Sequence, residues 1–370
     1  MRTFFQRFAL PPLLFWCSLA LASCIPVRGL GDRPSEAERQ RFSTLKQHNG
    51  STFFNHPDYF GGPAAPRRKK KFSVLRMARF LMARPEETRP EYALPVVPFG
   101  LDALGPDDAE VVWFGHSTVL VRAGGATVLF DPVFRSSVGP YKGAVPAFTG
   151  THIDPSKDLP PIDAVVISHD HYDHLDYPTL RRLRKKIRRI IAPLGVAAHL
   201  RKWGFADSVL HIVNWQDSVR LNAQVSVMAV PAFHRSGRRF RDNETLWASY
   251  VLKAGGRRIY FSGDTGYSGH FAAIGKQYGP IDLALLECGQ YNEKWPHSHM
   301  FPEQTAQAAA DLGARVLLPI HWAKFAESEH PWNEPVQRLL RARPAAPVVV
   351  PMIGQPLRFG TPFQQVRWWE

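Results

Sequence analysis

Three imidazoles and two aspartates share six consecutive positions, His169-Asp170-His171-Tyr172-Asp173-His174, one residue after the apolar run Ala164-Val165-Val166-Ile167. A short apolar run of this kind reads as a buried strand, which puts the cluster on the loop leaving it. His169 and His171, two apart in extended backbone, turn the same way and can close on one cation. Asp173 and His174 follow on the turn and point elsewhere, which suits a second cation beside the first. Imidazole and carboxylate without thiolate is a donor set that zinc, iron and manganese share. A polar surface loop rich in histidine by accident would not explain the matching donors found downstream. The run reads as part of a metal site.

Fifteen histidines occur in the 370 residues, so the informative ones must be separated from the rest. His48, His56, His152, His199, His211, His270, His297 and His330 read as surface or packing residues. His116 follows Phe114-Gly115, His234 follows Val230-Pro231-Ala232-Phe233, and His321 follows Leu318-Pro319-Ile320, so these three stand at strand ends. His299 sits in the loop before a helix that opens at Pro302. Asp264 ends a strand within Phe261-Ser262-Gly263-Asp264-Thr265-Gly266, where glycine lets backbone approach a metal closely. Together these supply a two-metal site: His169, His171 and His234 for one ion, Asp173, His174 and His321 for the other, with Asp264 bridging.

The surrounding pattern is that of a layered α/β chain. Val111 to Phe114, Val119 to Val121 and Thr127 to Phe130 are short apolar segments split by turn residues, as in a meander. Helical and strand-like segments alternate after the cluster. Strands are expected at Val225 to Val230, Ala248 to Leu252, Arg257 to Phe261, Leu283 to Leu286 and Val316 to Leu318. A helix from Pro302 has proline near its first turn and Gly313 past its end. Strands first, then alternating elements with enough helix to cover two sheets, indicate a layered sandwich.

The N-terminus is built differently. Arg2 and Arg7 precede an apolar stretch from Phe8 to Ala22, too short for a span of ~20 apolar residues and broken by Pro11 and Pro12. Residues 1–23 are expected to be a signal peptide of lipoprotein type, because Leu21-Ala22-Ser23-Cys24 resembles a bacterial lipobox. Cys24 would then be lipidated and anchor the chain in the cell envelope, facing the periplasm; a mitochondrial presequence or ordinary secretion are the alternatives. With Cys17 and Cys24 in this segment, Cys288 stands alone and no intrachain disulfide framework is available. Residues 24–105 are expected to form an N-terminal extension and 106–370 the main domain. Net charge is +14, concentrated in Arg67-Arg68-Lys69-Lys70-Lys71 and in residues 181–189. The second run reads mainly as an exposed helix face. The first precedes an apolar segment ending near Met82, a basic amphipathic helix suited to an anionic membrane surface. No nucleic-acid partner is expected, since no recognised module accompanies the charge.

His-x-His-x-Asp-His with the downstream His, Asp and His resembles the metallo-β-lactamase superfamily. Within it the chain resembles the N-acyl-phosphatidylethanolamine-hydrolysing phospholipase D family. The matching stretches are Trp113-Phe114-Gly115-His116-Ser117, Asp131-Pro132-Val133-Phe134, Leu159 to Val165, Ser168 to Tyr177, Gly263 to Tyr267 and Ile320-His321-Trp322; Glu329-His330 and Glu334-Pro335 also fit. The resemblance implies a four-layer αβ/βα sandwich with a dinuclear site in the cleft between the sheets. It implies the seven metal ligands named above, and substrate contacts from Tyr172 and His299. The segment Glu287 to Glu293 is more polar than the phospholipase pattern. Asp264 stands where the main dinuclear β-lactamases use cysteine.

The expected chemistry is attack of a metal-bridging hydroxide, oriented by Asp173 and Asp264, on a phosphodiester, with two divalent ions (zinc, or iron or manganese) stabilising the transition state. His299 is the candidate that protonates the leaving alcohol. Asp131 and His116 are candidates for orienting ligands. The expected substrate is an N-acyl-phosphatidylethanolamine-like membrane lipid or a small phosphodiester. A lactonase or other small-substrate hydrolase is the alternative enzyme, and a non-catalytic metal-bound envelope protein the alternative outside enzymes.

Overall fold

Side-chain alternation along the strands sorts the core of this protein into layers. The computed structural model describes residues 27–61, 85–98, 108–141, 143–238 and 241–370. The expected leader, Cys24 and the basic segment at residues 67–82 lie outside the described residues.

Strands β1 (Ala109–Trp113), β2 (Val119–Ala123) and β3 (Ala126–Phe130) form the antiparallel meander indicated by the sequence. After a small ribbon of β4 (Ser137–Val138) and β5 (Val145–Pro146), β6 (Ala164–Val166), β7 (Ile190–Pro193) and β8 (Leu210–Val213) add parallel to β3. The second half contributes β9 (Ser218–Arg220), β10 (Val225–Val230), a hairpin of β11 (Gly237–Arg238) and β12 (Arg241–Asp242), then β13 (Ser249–Ala254), β14 (Arg257–Phe261), β15 (Leu283–Glu287) and β16 (Leu317–Ile320). Finally β17 (Pro356–Arg358) returns to pair with β1. The result is two sheets, ordered β17-β1-β2-β3-β6-β7-β8 and β16-β15-β14-β13-β10-β9.

In the second sheet, Val227, Ala229, Leu252, Ile259, Phe261 and Leu285 turn toward the first sheet. Phe261 stacks there on Phe130 of β3, ring centroids 4.6 Å apart. Their neighbours Met228, Val230, Val251, Tyr260, Ala284 and Leu286 turn the other way. They meet Phe271 and Ile274 of helix His270–Tyr278, Ala308 and Ala309 of helix Pro302–Asp311, and Leu339 of helix Glu334–Arg341. The parallel strands β6, β7 and β8 are joined through helices Tyr177–Leu183 and Ala197–Lys202, whose Leu180, Leu183 and Leu200 are fully buried. Helices thus flank a pair of sheets, the expected four-layer αβ/βα sandwich.

The helix anticipated through residues 181–189 closes at Leu183. Ile187 instead makes a parallel bridge with Ile162, which draws the chain into the extended path leading to β7. Arg181, Arg182, Arg184, Lys185 and Arg188 are exposed, as a solvated basic run should be.

The described residues ahead of β1 pack into the body. Phe42, Phe53, Phe60 and Leu94 are buried in the main core, and full burial of such a side chain is worth roughly 1.5–3 kcal/mol. Phe60 meets Phe233, Trp215 and His270 edge-on. These aromatics decide where residues 27–61 lie.

Candidate metal centre

Strand direction explains why the donors meet. Within the first sheet β1, β3 and β6 run the same way, and His116, Asp131 and the 169–174 loop follow their C-terminal ends. Within the second, β10, β14, β15 and β16 share a direction and release His234, Asp264 and His321 from theirs. Sheets of this kind open a crevice beyond their carboxyl ends, and the turns entering it are sharp. His116, Asp131 and His321 all hold positive φ (51°, 37° and 66°), a conformation costly for side chains that are not glycine. Gly263, at φ +54°, has no room for a Cβ, which would stand 2.6 Å from the Cβ of Ser168. That close approach lets Asp264 reach the loop from β6.

The seven expected ligands come together in two donor groups. His169, His171, His234 and Asp264 form one; His174, Asp173 and His321, joined by His116, form the other. Asp264 faces both. Its Oδ2 lies 3.7 Å from His169 Nε2 and 3.6 Å from His234 Nε2, while its Oδ1 lies 3.1 Å from both His174 Nε2 and His321 Nε2. His171 turns its Nδ1 inward, 2.7 Å from His169 Nε2 and 3.4 Å from His234 Nε2. Donors about 2.0–2.2 Å from a tetrahedral cation are themselves ~3.2–3.6 Å apart. The 3.1–3.7 Å separations match that spacing to about 0.1 Å, and the 2.7 Å between His169 and His171 is the exception.

Orphaned atoms carry the same message. His174 Nε2, His321 Nε2 and Asp264 Oδ1 are fully buried without a hydrogen-bond partner, each nitrogen 3.1 Å from the carboxylate oxygen. Leaving a buried polar atom unpaired costs roughly 1–3 kcal/mol. Groups aimed at a common point rather than at each other are what a cation requires.

The far sides of the imidazoles are fixed. His174 Nδ1 lies 2.7 Å from Asp131 Oδ2, and Asp131 also accepts from the backbone N–H and the hydroxyl of Ser168 at 2.7 and 2.5 Å. His169 Nδ1 engages the Ser168 hydroxyl at 2.9 Å, and His234 Nδ1 lies 2.9 Å from the Ser298 carbonyl. Each bond leaves Nε2 facing the centre. His116 Nε2 stands 2.9 Å from Asp173 Oδ2, so both residues expected to orient ligands touch one.

Burial pushes His169 and His234 well below the usual imidazole range and, with the charge of Arg235, brings His171 down to about 4. These rings are therefore neutral, the form a cation binds. For His174 and His321, burial also acts downward, but the carboxylates of Asp264 and Asp173 overcome it and hold both well above the usual range. Cation uptake at this end must displace protons.

His299 lies beside the second group, its ring stacked on His321 at 4.9 Å and its Nδ1 3.5 Å from Glu287 Oε1. Glu287, in the polar segment that departs from the phospholipase pattern, accepts backbone N–H bonds from Thr265 and Met300. It pins the Asp264 loop to the His299 loop from beneath. Tyr172 lies under the guanidinium of Arg238, 4.0 Å from ring centroid to Cζ. Several nearby residues carried no recognisable signal in the sequence. The half-buried Glu327 reaches within 3.9 Å of His116 Nε2, and Asn55 donates to the His234 carbonyl. The buried Lys324 donates to the carbonyls of Phe114 and Val133.

A model of the beta-lactamase superfamily domain matches residues 126–322, more than half of the chain. The chain belongs to the metallo-β-lactamase superfamily. An uncharacterized protein of Mycobacterium tuberculosis is 41% identical over 299 residues, covering 78% of this chain and 79% of that protein. The N-acyl-phosphatidylethanolamine-hydrolyzing phospholipase D 1 of Caenorhabditis elegans is 32% identical over 231 residues, covering 58% of this chain and 63% of the relative. Among solved structures, the metallo hydrolase Igni18 of Ignicoccus hospitalis shares the fold, with a TM-score of 0.53 at 23% identity, covering 69% of this chain and 100% of that one. This metallo-β-lactamase-superfamily member is a metal-dependent hydrolase, and its His and Asp groups are able to hold metal.

Proposed function

We propose that this hydrolase is a phosphodiesterase of phospholipase D type, acting on N-acyl-phosphatidylethanolamine-like lipids at a membrane surface. The observation that carries the reading is Asp264, whose two oxygens face two separate histidine groups. A carboxylate so placed would stand between two cations, which would supply the clamp on both oxygens that an in-line phosphoryl displacement needs. The name of the nematode relative, which shares 32% identity, supports the lipid.

His169, His171 and His234 would hold one divalent ion and Asp173, His174 and His321 the other, with Asp264 between. Zinc suits the donors, as do iron and manganese. When bound, the ions supply Lewis acidity to the phosphoryl oxygens and make water a stronger acid. The protein's own groups do the rest. Asp173 and Asp264 fix the direction from which water approaches phosphorus. His299, held by its stack on His321 and backed by Glu287, carries the proton that the departing alcohol oxygen takes up. Tyr172, whose ring packs one face on Arg238, would contact the substrate beside its reacting group. Water thus adds to phosphorus, the P–O bond to the alcohol breaks, and the products are a phosphomonoester and an N-acylethanolamine. Lipidation at Cys24 and the basic segment at residues 67–82 would hold the enzyme against its substrate in the cell envelope.

Metal-loaded protein incubated with N-acyl-phosphatidylethanolamine, a generic phosphodiester and a sugar-phosphate lactone tests this directly. Release of N-acylethanolamine in preference to the other products is expected. Lactone opening without diester cleavage would move the substrate elsewhere, and no turnover on any of the three would favour a binding role.

A further inference from the structure

The 170–175 stretch that carries His171, Asp173 and His174 is held from outside the centre by two buried side chains. Arg238 on β11 is 5% exposed. Its Nη1 donates to the carbonyls of Asp170 and Leu175, at 2.8 and 3.0 Å, the two ends of the stretch. Its Nε and Nη2 both donate to the Gly29 carbonyl, at 3.2 and 2.7 Å. The guanidinium is sandwiched between the rings of Tyr172 and Trp203, 4.0 and 5.2 Å from their centroids. A rigid planar fork can satisfy three carbonyls at once, and a lysine ammonium in its place would not.

His199 makes the second link. The backbone N–H of Asp32 donates to His199 Nδ1 at 3.0 Å, which leaves the proton on Nε2, 3.3 Å from Asp170 Oδ2. The other oxygen, Oδ1, accepts the Gly237 N–H at 2.7 Å. Asp170 stands between two of the expected ligands, yet its carboxylate joins neither donor group and is spent on this brace. Gly31, between the two contact points of the N-terminal segment, holds φ +72°, and a Cβ there would stand 2.2 Å from His199 Nδ1. The segment fits only because position 31 is glycine.

We propose that Arg238 and His199 are positioning residues which couple residues 29–32 to the metal-binding loop, so that this N-terminal strap sets how tightly the loop holds its cations. The strap contributes no donor to the centre. It fixes both ends of the loop and the orientation of Asp170, and through them the directions of His171, Asp173 and His174. This holds whichever substrate the enzyme takes.

The test compares zinc affinity, by competition with a chromophoric chelator, and the visible spectrum of cobalt-loaded protein for the full-length chain and for Gly31→Ala, His199→Asn and Arg238→Lys. Groups that orient metal ligands typically carry 10–100-fold in affinity. Each variant is expected to hold zinc at least about tenfold more weakly and to alter the cobalt bands. Combining Gly31→Ala with Arg238→Lys should add less than the two losses together, because both act through one loop. A merely structural strap would lower the melting temperatures of metal-free and metal-loaded protein equally, leaving affinity and spectrum unchanged; that result overturns the proposal. Should Arg238→Lys fail to fold, Gly31→Ala decides, since its added methyl lies on the strap and reaches the loop only by displacing His199.

Discussion

Asp131 and His174, from loops leaving two neighbouring parallel strands, meet at 2.7 Å with both side chains fully buried. Burial raises the Asp131 carboxyl, and the bond to His174 opposes that rise. The contact keeps His174 Nε2 turned to the centre. Asp131→Asn keeps the shape and removes the charge. It should weaken metal binding about 10–100-fold while the protein remains folded. Zinc competition and circular dichroism on the same preparation check this.

Asp264 joins the two donor groups, so its loss should be felt by both. Asp264→Asn is expected to abolish hydrolysis and to lower bound metal from two ions toward one per chain, without unfolding. Elemental analysis beside an activity assay measures both outcomes. Retained turnover in a folded variant would contradict the bridging role.

Most donors of the centre were legible in the sequence because metal chemistry restricts them to few residue types, and because each follows a recognisable apolar strand. The supports were not. Arg238 and Lys324 act on backbone carbonyls of Gly29, Phe114 and Val133, and any residue supplies a carbonyl. Asn55 likewise meets the carbonyl of His234 across 179 positions. Such contacts leave no pattern to read. The run at residues 181–189 misled for a related reason, since its helical spacing was overridden by the pairing of Ile187 with Ile162.

Phe53 is fully buried and packs against Phe42 and His48, ahead of the main domain in sequence but inside its core. Phe53→Ala should therefore destabilise the whole protein by ~3–5 kcal/mol. Denaturant unfolding followed by tryptophan fluorescence should show one transition moved to lower concentration. An independent early transition would mean that this segment unfolds alone.

Lys324 gives a pH dependence whose sign follows from its burial. Burial brings its ammonium down to about 7, far below a solvated lysine. Between about pH 7 and pH 10 the unfolded chain binds more protons at this position than the folded one. Its contribution to stability therefore rises with pH across that window, by at most ~1.4 kcal/mol per pH unit, and is flat below it. The stability of the parent minus that of Lys324→Met should climb from pH 7 to pH 10. A flat difference would show that the lysine stays charged when buried.

Titration of metal-free protein with zinc, following N-acylethanolamine release from N-acyl-phosphatidylethanolamine vesicles at each addition, tests the central claim most directly. Two ions flanking Asp264 require turnover to rise until two equivalents are bound and then to stop. Protein carrying two equivalents of tightly bound zinc that releases no N-acylethanolamine would contradict the account.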